Sequence, residues 1–419
     1  MKPTSRNDCM FADISRLWGD VTYVDFQTSL HTPSWLGAAA LRAFAAGINT
    51  VPTRVLCIMV AIILHPHLRV LDPHADTLFY GPSKNNDRVL QRIAAISNGH
   101  CGKQSFAVQK ANLATRLRAA LQWKKITAIS RDLSPYRDAG TMLALQLILT
   151  ATARVYFETS LVACRARVVI LANDHSPMQV GLRGAAYQHG LRCVYCQHAP
   201  VSTLYPPLKF DLSVLSNKAS LTAYSAIGPV QGDVAFLPLS GNKTRLISGV
   251  GNMATVGMCL ARVWTPCSVA SRLNELCAQA NITKIILRPH PEHLASFDDL
   301  MALDPRITLS KNDDIAAFAQ DCNLVIVPGS GALIDLLHNG VACIYAGDLD
   351  QLGHDPHGFV AAGLVPDWTG RSLQELSQNV DAYFGANWQQ AFADYDPAIG
   401  TDPAILNDKV RAALQKIMI

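Results

Sequence analysis

The sequence predicts an α/β protein made of two Rossmann-like, doubly wound parallel sheets. Three observations point that way. From residue 243 onward, short β-like runs alternate with helix-like runs, the pattern of βαβ units. Those strands are continuous apolar runs, as expected of a sheet covered on both faces. The chain is also long and apolar enough to fill more than one core, with 419 residues, 49% hydrophobic and 16% charged.

The elements follow in order. In the first half the strand candidates are VTYVDF (21–26), TRVLCIMVAIIL (53–64), ARVVILAND (166–174) and LRCVYCQH (191–198). Between the last two, SPMQVGLRGAAYQHG reads as a helix stopped by Gly190. The stretch 65–135 is irregular and basic and gives no order of elements. The apolar run 55–64 is too short to span a bilayer, and 142–157 carries Gln146 and Arg154, so it reads as a buried helix. LPLSGNK (237–243) is the natural linker, giving a first domain over 1–238 and a second over 239–402. The second domain alternates through TRLISG, SVASRLNELCAQA, KIILR, EHLASFDDLMAL, RITLS, NDDIAAFAQDC, NLVIVPGSG, ALIDLLHNG and VACIYAG. Asn312-Asp313-Asp314 caps one of its helices, and Gly340 stops another. PAILNDKVRAALQKIM reads as an amphipathic helix, placing a closing element over 403–419 that would pack back on the first domain.

Composition narrows the partners. Cysteines such as Cys57, Cys322 and Cys343 sit inside apolar runs and read as buried free thiols of a reducing, cytoplasmic compartment. The first residues lack the apolar core of a signal peptide. The net charge of +4 hides an asymmetry: residues 1–240 hold 24 Lys and Arg against 13 Asp and Glu, and residues 241–419 hold 12 against 19. A basic first half suits an anionic acceptor or peripheral attachment to an anionic membrane face, or else the two halves complement one another. Aromatic residues are only 7%, and no aromatic-interleaved basic stripe is present, which argues against a nucleic-acid partner.

In doubly wound sheets ligands sit beyond the carboxyl ends of the strands, so the informative residues are those that follow each strand. After RLIS come Gly249 and Gly251, which either let a backbone offer N–H groups to a phosphate or form an ordinary tight turn. After KIIL come Arg288, Pro289, His290 and Pro291. The prolines stiffen His290, and a rigid arginine and histidine at a strand end can donate to phosphate oxygens and stabilise a leaving phosphate. After NLVIV come Pro328, Gly329, Ser330 and Gly331, directly before a helix. That start offers free N–H groups to a phosphate, and Ser330 can also cap the helix. Asp335, one turn on, either reaches a ribose hydroxyl or faces solvent. For a transfer reaction the general base would come from the first half. Asp174 is the first candidate, His198 the second and His175 the third.

The motifs also carry a resemblance. LRPHP followed by VIVPGSGALIDLLHNGVACIYAG resembles the C-terminal domain of bacterial surface-polysaccharide glycosyltransferases of the GT-B fold. VVILANDHSPMQVGLRGAAYQHGLRCVYCQHAP is similar to the same group in the first half, although Gln197-His198-Ala199 lacks the glycine of a Gln-His-Gly step. HDPHGFVAAGLVP resembles an Asp-x-x-Gly-Phe segment near the donor pocket of those proteins. The likeness spans about 166–370, and the first 160 residues match no family.

The resemblance implies two Rossmann-like domains facing across a crevice, with a nucleotide-sugar donor on the second. It extends to His-Pro-motif sialyltransferases, Kdo transferases and teichoic-acid glycerophosphate polymerases. The implied donor is a CMP-activated acidic sugar, the acceptor a surface polysaccharide or lipid-linked glycan, and the reaction an inverting one that needs no metal or other cofactor. The alternatives are a sugar-nucleotide 2-epimerase, a CDP-glycerol-type glycerophosphotransferase and a non-catalytic GT-B-like subunit of a polysaccharide assembly complex.

Overall fold

The computed structural model describes residues 68–81, 84–97, 101–132, 141–201, 205–238, 247, 253–261, 264–290, 296–310, 314–350, 354–369, 371–397, 399 and 401–418. The strands expected at 21–26 and 53–64, and all of 244–249 but Ile247, lie outside them. The chain divides into two compact units. One comprises Met1–His198, Thr203–Leu237 and Asp402–Ile419, the other Ala199–Ser202 and Pro238–Thr401.

The first unit holds a six-stranded sheet. In chain order its strands are β1 (Thr77–Tyr80), β2 (Gln104–Phe106), β3 (Val168–Leu171), β4 (Arg192–Cys196), β5 (Lys209–Leu215) and β6 (Gln231–Phe236). They lie in the order β2-β1-β3-β4-β5-β6, and every pairing is parallel. All four residues of β1 and all four of β3 are buried, as expected of a parallel sheet covered on both faces. β2 is added on one side of β1 and β3 on the other, so the strand order reverses between β1 and β3 and a topological switch point lies at their carboxyl ends. The apolar run that begins near residue 142 forms the helix Thr141–Leu161, which lies against the helix Pro177–Gln188.

The core of this unit packs Phe79, Ile170, Val194 and Leu212 from the sheet against Leu90 and Ile93 of the helix Lys84–Ser97. Val410 and Leu414 of the C-terminal helix Pro403–Met418 join the same cluster. Cys193 and Cys196 have the C-x-x-C spacing that elsewhere marks redox or metal sites. Here both are buried in β4, and residues three apart in a strand face opposite sides of the sheet. They are free thiols, and burial pushes that of Cys196 far up.

The second unit holds a five-stranded parallel sheet. Its strands are β7 (Thr255–Cys259), β8 (Lys284–Arg288), β9 (Ile307–Leu309), β10 (Leu324–Val327) and β11 (Ala342–Tyr345). Their order is β11-β10-β7-β8-β9, which places the switch point between β7 and β10. The expectation of two doubly wound parallel sheets is met. The central strand was not among the expected ones, because Gly257 interrupts its apolar pattern. In the fold that glycine makes room for a close neighbour: a Cβ there would lie 2.7 Å from Phe318 Cζ and 2.8 Å from Cys322 Sγ.

Candidate functional site

Asn173, Asp174 and His175 follow β3 at the switch point of the first sheet. The side chain of Asn173 accepts from the N–H groups of His175 (2.9 Å) and Ser176 (2.7 Å), which fixes the turn into the helix Pro177–Gln188. Asp174 is buried, and both its oxygens are engaged. Oδ2 accepts from the Tyr224 hydroxyl at 2.7 Å, and Oδ1 pairs with His175 Nδ1 at 2.8 Å. Burial pushes the Asp174 carboxyl up, but His175, the Tyr224 hydroxyl and the charge of Arg183 together hold it below the usual carboxylate range. An ionised carboxylate only accepts, so His175 Nδ1 is the donor in this pair. The His175 side chain is 26% exposed against 1% for Asp174. Solvent therefore reaches the histidine but not the aspartate paired with it.

Two tyrosines extend this arrangement. The Tyr224 and Tyr195 hydroxyls lie 3.2 Å apart, and both residues are buried. Tyr224 has one proton and gives it to Asp174, so Tyr195 donates to Tyr224. Tyr205 packs its ring 4.8 Å from that of His175. Gln197, after β4, ties two strand ends together: its side chain accepts from Ser216 N–H (2.8 Å) and donates to Ser220 Oγ (2.8 Å). His198 is half-buried beside this cluster. Burial, and then the charge of His175, push its ring down to about 4, while Asp174 and a hydrogen bond with the Ala172 backbone pull the other way. It is neutral at pH 7 and held from behind.

At the carboxyl edge of the second sheet, Arg288 closes β8 and packs its guanidinium 5.8 Å from the centre of the Phe318 ring. His290 stands two residues on, half-buried. Gly329, Ser330 and Gly331 follow β10 and lead into the helix Ala332–His338. With β7 between them, β8 and β10 are about 10 Å apart by strand spacing. Arg288 and Ser330 thus share one edge of one sheet. The Gly329 N–H donates to Asp350 Oδ2 (2.8 Å), so this amide serves the fold. Ser330 Oγ accepts from Ala332 N–H at 3.3 Å, as a helix-starting serine should. Asp335 is half-buried in the first turn. Gly249, Gly251 and Pro291 lie outside the described residues.

The HDPHGF segment closes over this edge. Pro356 lies against Gly329, where a Cβ would meet its ring at 3.0 Å. His357 Nδ1 lies 3.3 Å from the Val201 carbonyl, and burial pushes its ring down. Asp355 holds the left-handed conformation (φ 46°), its N–H donating to the Tyr345 hydroxyl at 2.8 Å. Among the described residues, no group of three or more His, Cys, Asp or Glu could hold a metal ion.

No family model matches the chain, and no curated protein matches it in sequence. Solved structures do. CalG4, the calicheamicin glycosyltransferase, is 11% identical with a TM-score of 0.51 over 83% of this chain and 100% of its own. A protein from Listeria monocytogenes assigned as a UDP-N-acetylglucosamine 2-epimerase is 11% identical, with a TM-score of 0.48 over 83% of this chain and 97% of its own. The glycosyltransferase SnogD from Streptomyces nogalater is 10% identical, with a TM-score of 0.41 over 83% and 99%. With its two parallel-sheet α/β units and its match to CalG4, the chain has the GT-B fold.

Proposed function

We propose that the chain is a nucleotide-sugar-dependent glycosyltransferase in which the first unit supplies the base and the second holds the donor. The observation that carries this reading is the pair formed by ionised, buried Asp174 and part-exposed His175 at a switch point. In the reaction, His175 Nε2 takes the proton of an acceptor hydroxyl as its oxygen bonds to the anomeric carbon. Asp174 stabilises the imidazolium that results. The bond from the anomeric carbon to the donor phosphate breaks, and its electron pair leaves with the nucleotide. Arg288, His290 and the turn at Gly329, Ser330 and Gly331 receive that developing charge, and Asp335 meets the ribose. The step inverts the anomeric centre. The donor we favour is a CMP-activated acidic sugar, passed to an anionic or lipid-linked surface glycan.

A thermal-shift panel of CMP, CDP, UDP, GDP and dTDP tests the donor. CMP at one hundred times its dissociation constant should add about 2.7 kcal/mol of stability. His290→Ala and Ser330→Ala should each reduce that shift. A UDP preference would replace the donor assignment, and no stabilisation by any nucleotide would sink the transferase reading. Conversion of a UDP-sugar without any acceptor would make the protein an epimerase.

A further inference from the structure

We propose that the outer face of segment 108–125 docks on an anionic lipid surface. Its helix, Leu113–Ala120, has its amphipathicity reversed. Arg116, Ala119 and Ala120 are turned inward, and Arg116 Nε donates to the Ala111 carbonyl at 2.8 Å. Leu113, Leu117 and Leu121, spaced one turn apart, are 57%, 39% and 79% exposed. Val108, just before the helix, and Trp123, just after it, are exposed too. Singly, an exposed leucine means little, but a row of them facing water marks an interaction surface.

Charge identifies the occupant. Between Asp87 and Asp132 the sequence holds nine lysines and arginines and no acidic residue. Lys110, Arg118 and Lys124 are exposed around the leucines, and Lys124 Nζ lies 5.8 Å from the centre of the Trp123 ring. Lys125 is already paired with Glu158, at 2.6 Å. The core of a protein–protein interface is depleted in lysine. Leucines fringed by unopposed cations, with a tryptophan at the margin, match the boundary between acyl chains and anionic headgroups. No described helix is long and apolar enough to cross a membrane, so the contact is a surface one. The segment leaves the sheet at the carboxyl end of β2, and the Ala107 N–H donates to Phe79 O of neighbouring β1 at 2.9 Å. That is the same edge on which Asp174 and His175 stand, about 10 Å along by strand spacing. A lipid-linked molecule at the bilayer would be presented on that edge.

The test reads lipid binding alone, so its outcome is independent of the transferase reading. The full chain is floated with phosphatidylcholine vesicles that contain or lack phosphatidylglycerol. Binding is expected only with phosphatidylglycerol and should weaken with salt. The combined Lys110→Gln, Arg118→Gln and Lys124→Gln variant should bind roughly a hundredfold more weakly at low ionic strength. The combined Leu113→Ser, Leu117→Ser and Leu121→Ser variant should lose about tenfold or more. All six side chains are exposed, so both variants should melt like the parent, which separates docking from folding. Binding that ignores phosphatidylglycerol, or that survives both triple substitutions, overturns the proposal. So does self-association that needs the leucines while vesicles are left unbound.

Discussion

Asp174 keeps its charge inside the protein only because neighbours supply what water would: a histidine N–H, a tyrosine hydroxyl and the field of Arg183. His198, close by, shows the opposite outcome, since burial leaves it neutral. That difference gives a pH prediction. The unfolded ring titrates near 6.5 and the folded one near 4, so the unfolded chain binds more protons between those values. Stability should therefore fall as pH drops from about 6.5 to 4, by up to roughly 1.4 kcal/mol per unit from this residue. Asp174, depressed below its usual value, contributes stability that is lost only below about 3.8, a separate window. Urea unfolding across this range should show a flatter profile for His198→Gln than for the parent, and identical slopes would show that the ring is not held neutral. The sequence made Asp174, His175 and His198 visible, because each follows a strand. It ranked them by chemistry alone, and burial and hydrogen bonding are what support the proposed division in which Asp174 orients and His175 transfers the proton. Tyr224 and Tyr205 were not legible. Tyr224 sits in LTAYSAI, where an aromatic residue reads as core, and nothing local shows a hydroxyl bonded fifty positions away.

At the level of elements, the packing of the helix Pro177–Gln188 on Thr141–Leu161 depends on Gly181. A Cβ there would lie 2.6 Å from Ala153 Cβ, 2.8 Å from the Arg154 nitrogen and 2.9 Å from the Thr150 carbonyl oxygen. Two of these are backbone atoms, so relief requires the helices to move apart. Gly181→Ala gains about 1 kcal/mol of helix propensity, whereas overpacking costs about 1–3 kcal/mol and moving a whole helix lies at the upper end. The substitution should be destabilising by about 1–2 kcal/mol. Because the helix begins right after His175, the turn carrying that residue should loosen as well. A denaturant midpoint at or above the parent's would show that the two helices can separate freely. Elements that bury one continuous apolar run, such as β3, β8 and β10, were legible. β7 was not, since a glycine reads as a turn until its neighbours are known. β5 was missed for a related reason: polar Asp211 and Ser213 break its run. Asp211 is there because its carboxylate accepts the Cys193 N–H of β4 at 2.8 Å, a tie between strands that spacing cannot reveal.

For the whole molecule, the informative feature is the helix Pro403–Met418, which belongs to the first unit. The amphipathic pattern of Pro403–Met418 announces a helix but not its berth, which lies across the entire sequence. Arg411 Nε donates to the Ile96 carbonyl, 315 positions earlier, at 3.1 Å, and Lys416 meets Asp233 at 2.7 Å. The ion pair is exposed and contributes little. The apolar face matters more, because Leu406, Val410 and Leu414 are buried, the last two within the main cluster of the first unit. Burying each is worth about 1.5–3 kcal/mol, so together they approach the whole stability of an ordinary domain. The first unit is thus closed by this helix, which reaches β1 and β6 of its sheet: Thr77 of β1 lies under Met418, and Asp233 of β6 under Lys416. Deleting Asp402–Ile419 should leave the first sheet open to solvent. Hydrogen exchange should show the amides of β1 to β6 losing most of their protection in the truncated chain, while those of β7 to β11, which belong to the second unit, keep theirs. If the first sheet stays protected after the deletion, its core is complete without the helix, and the helix is an appendage rather than part of the fold.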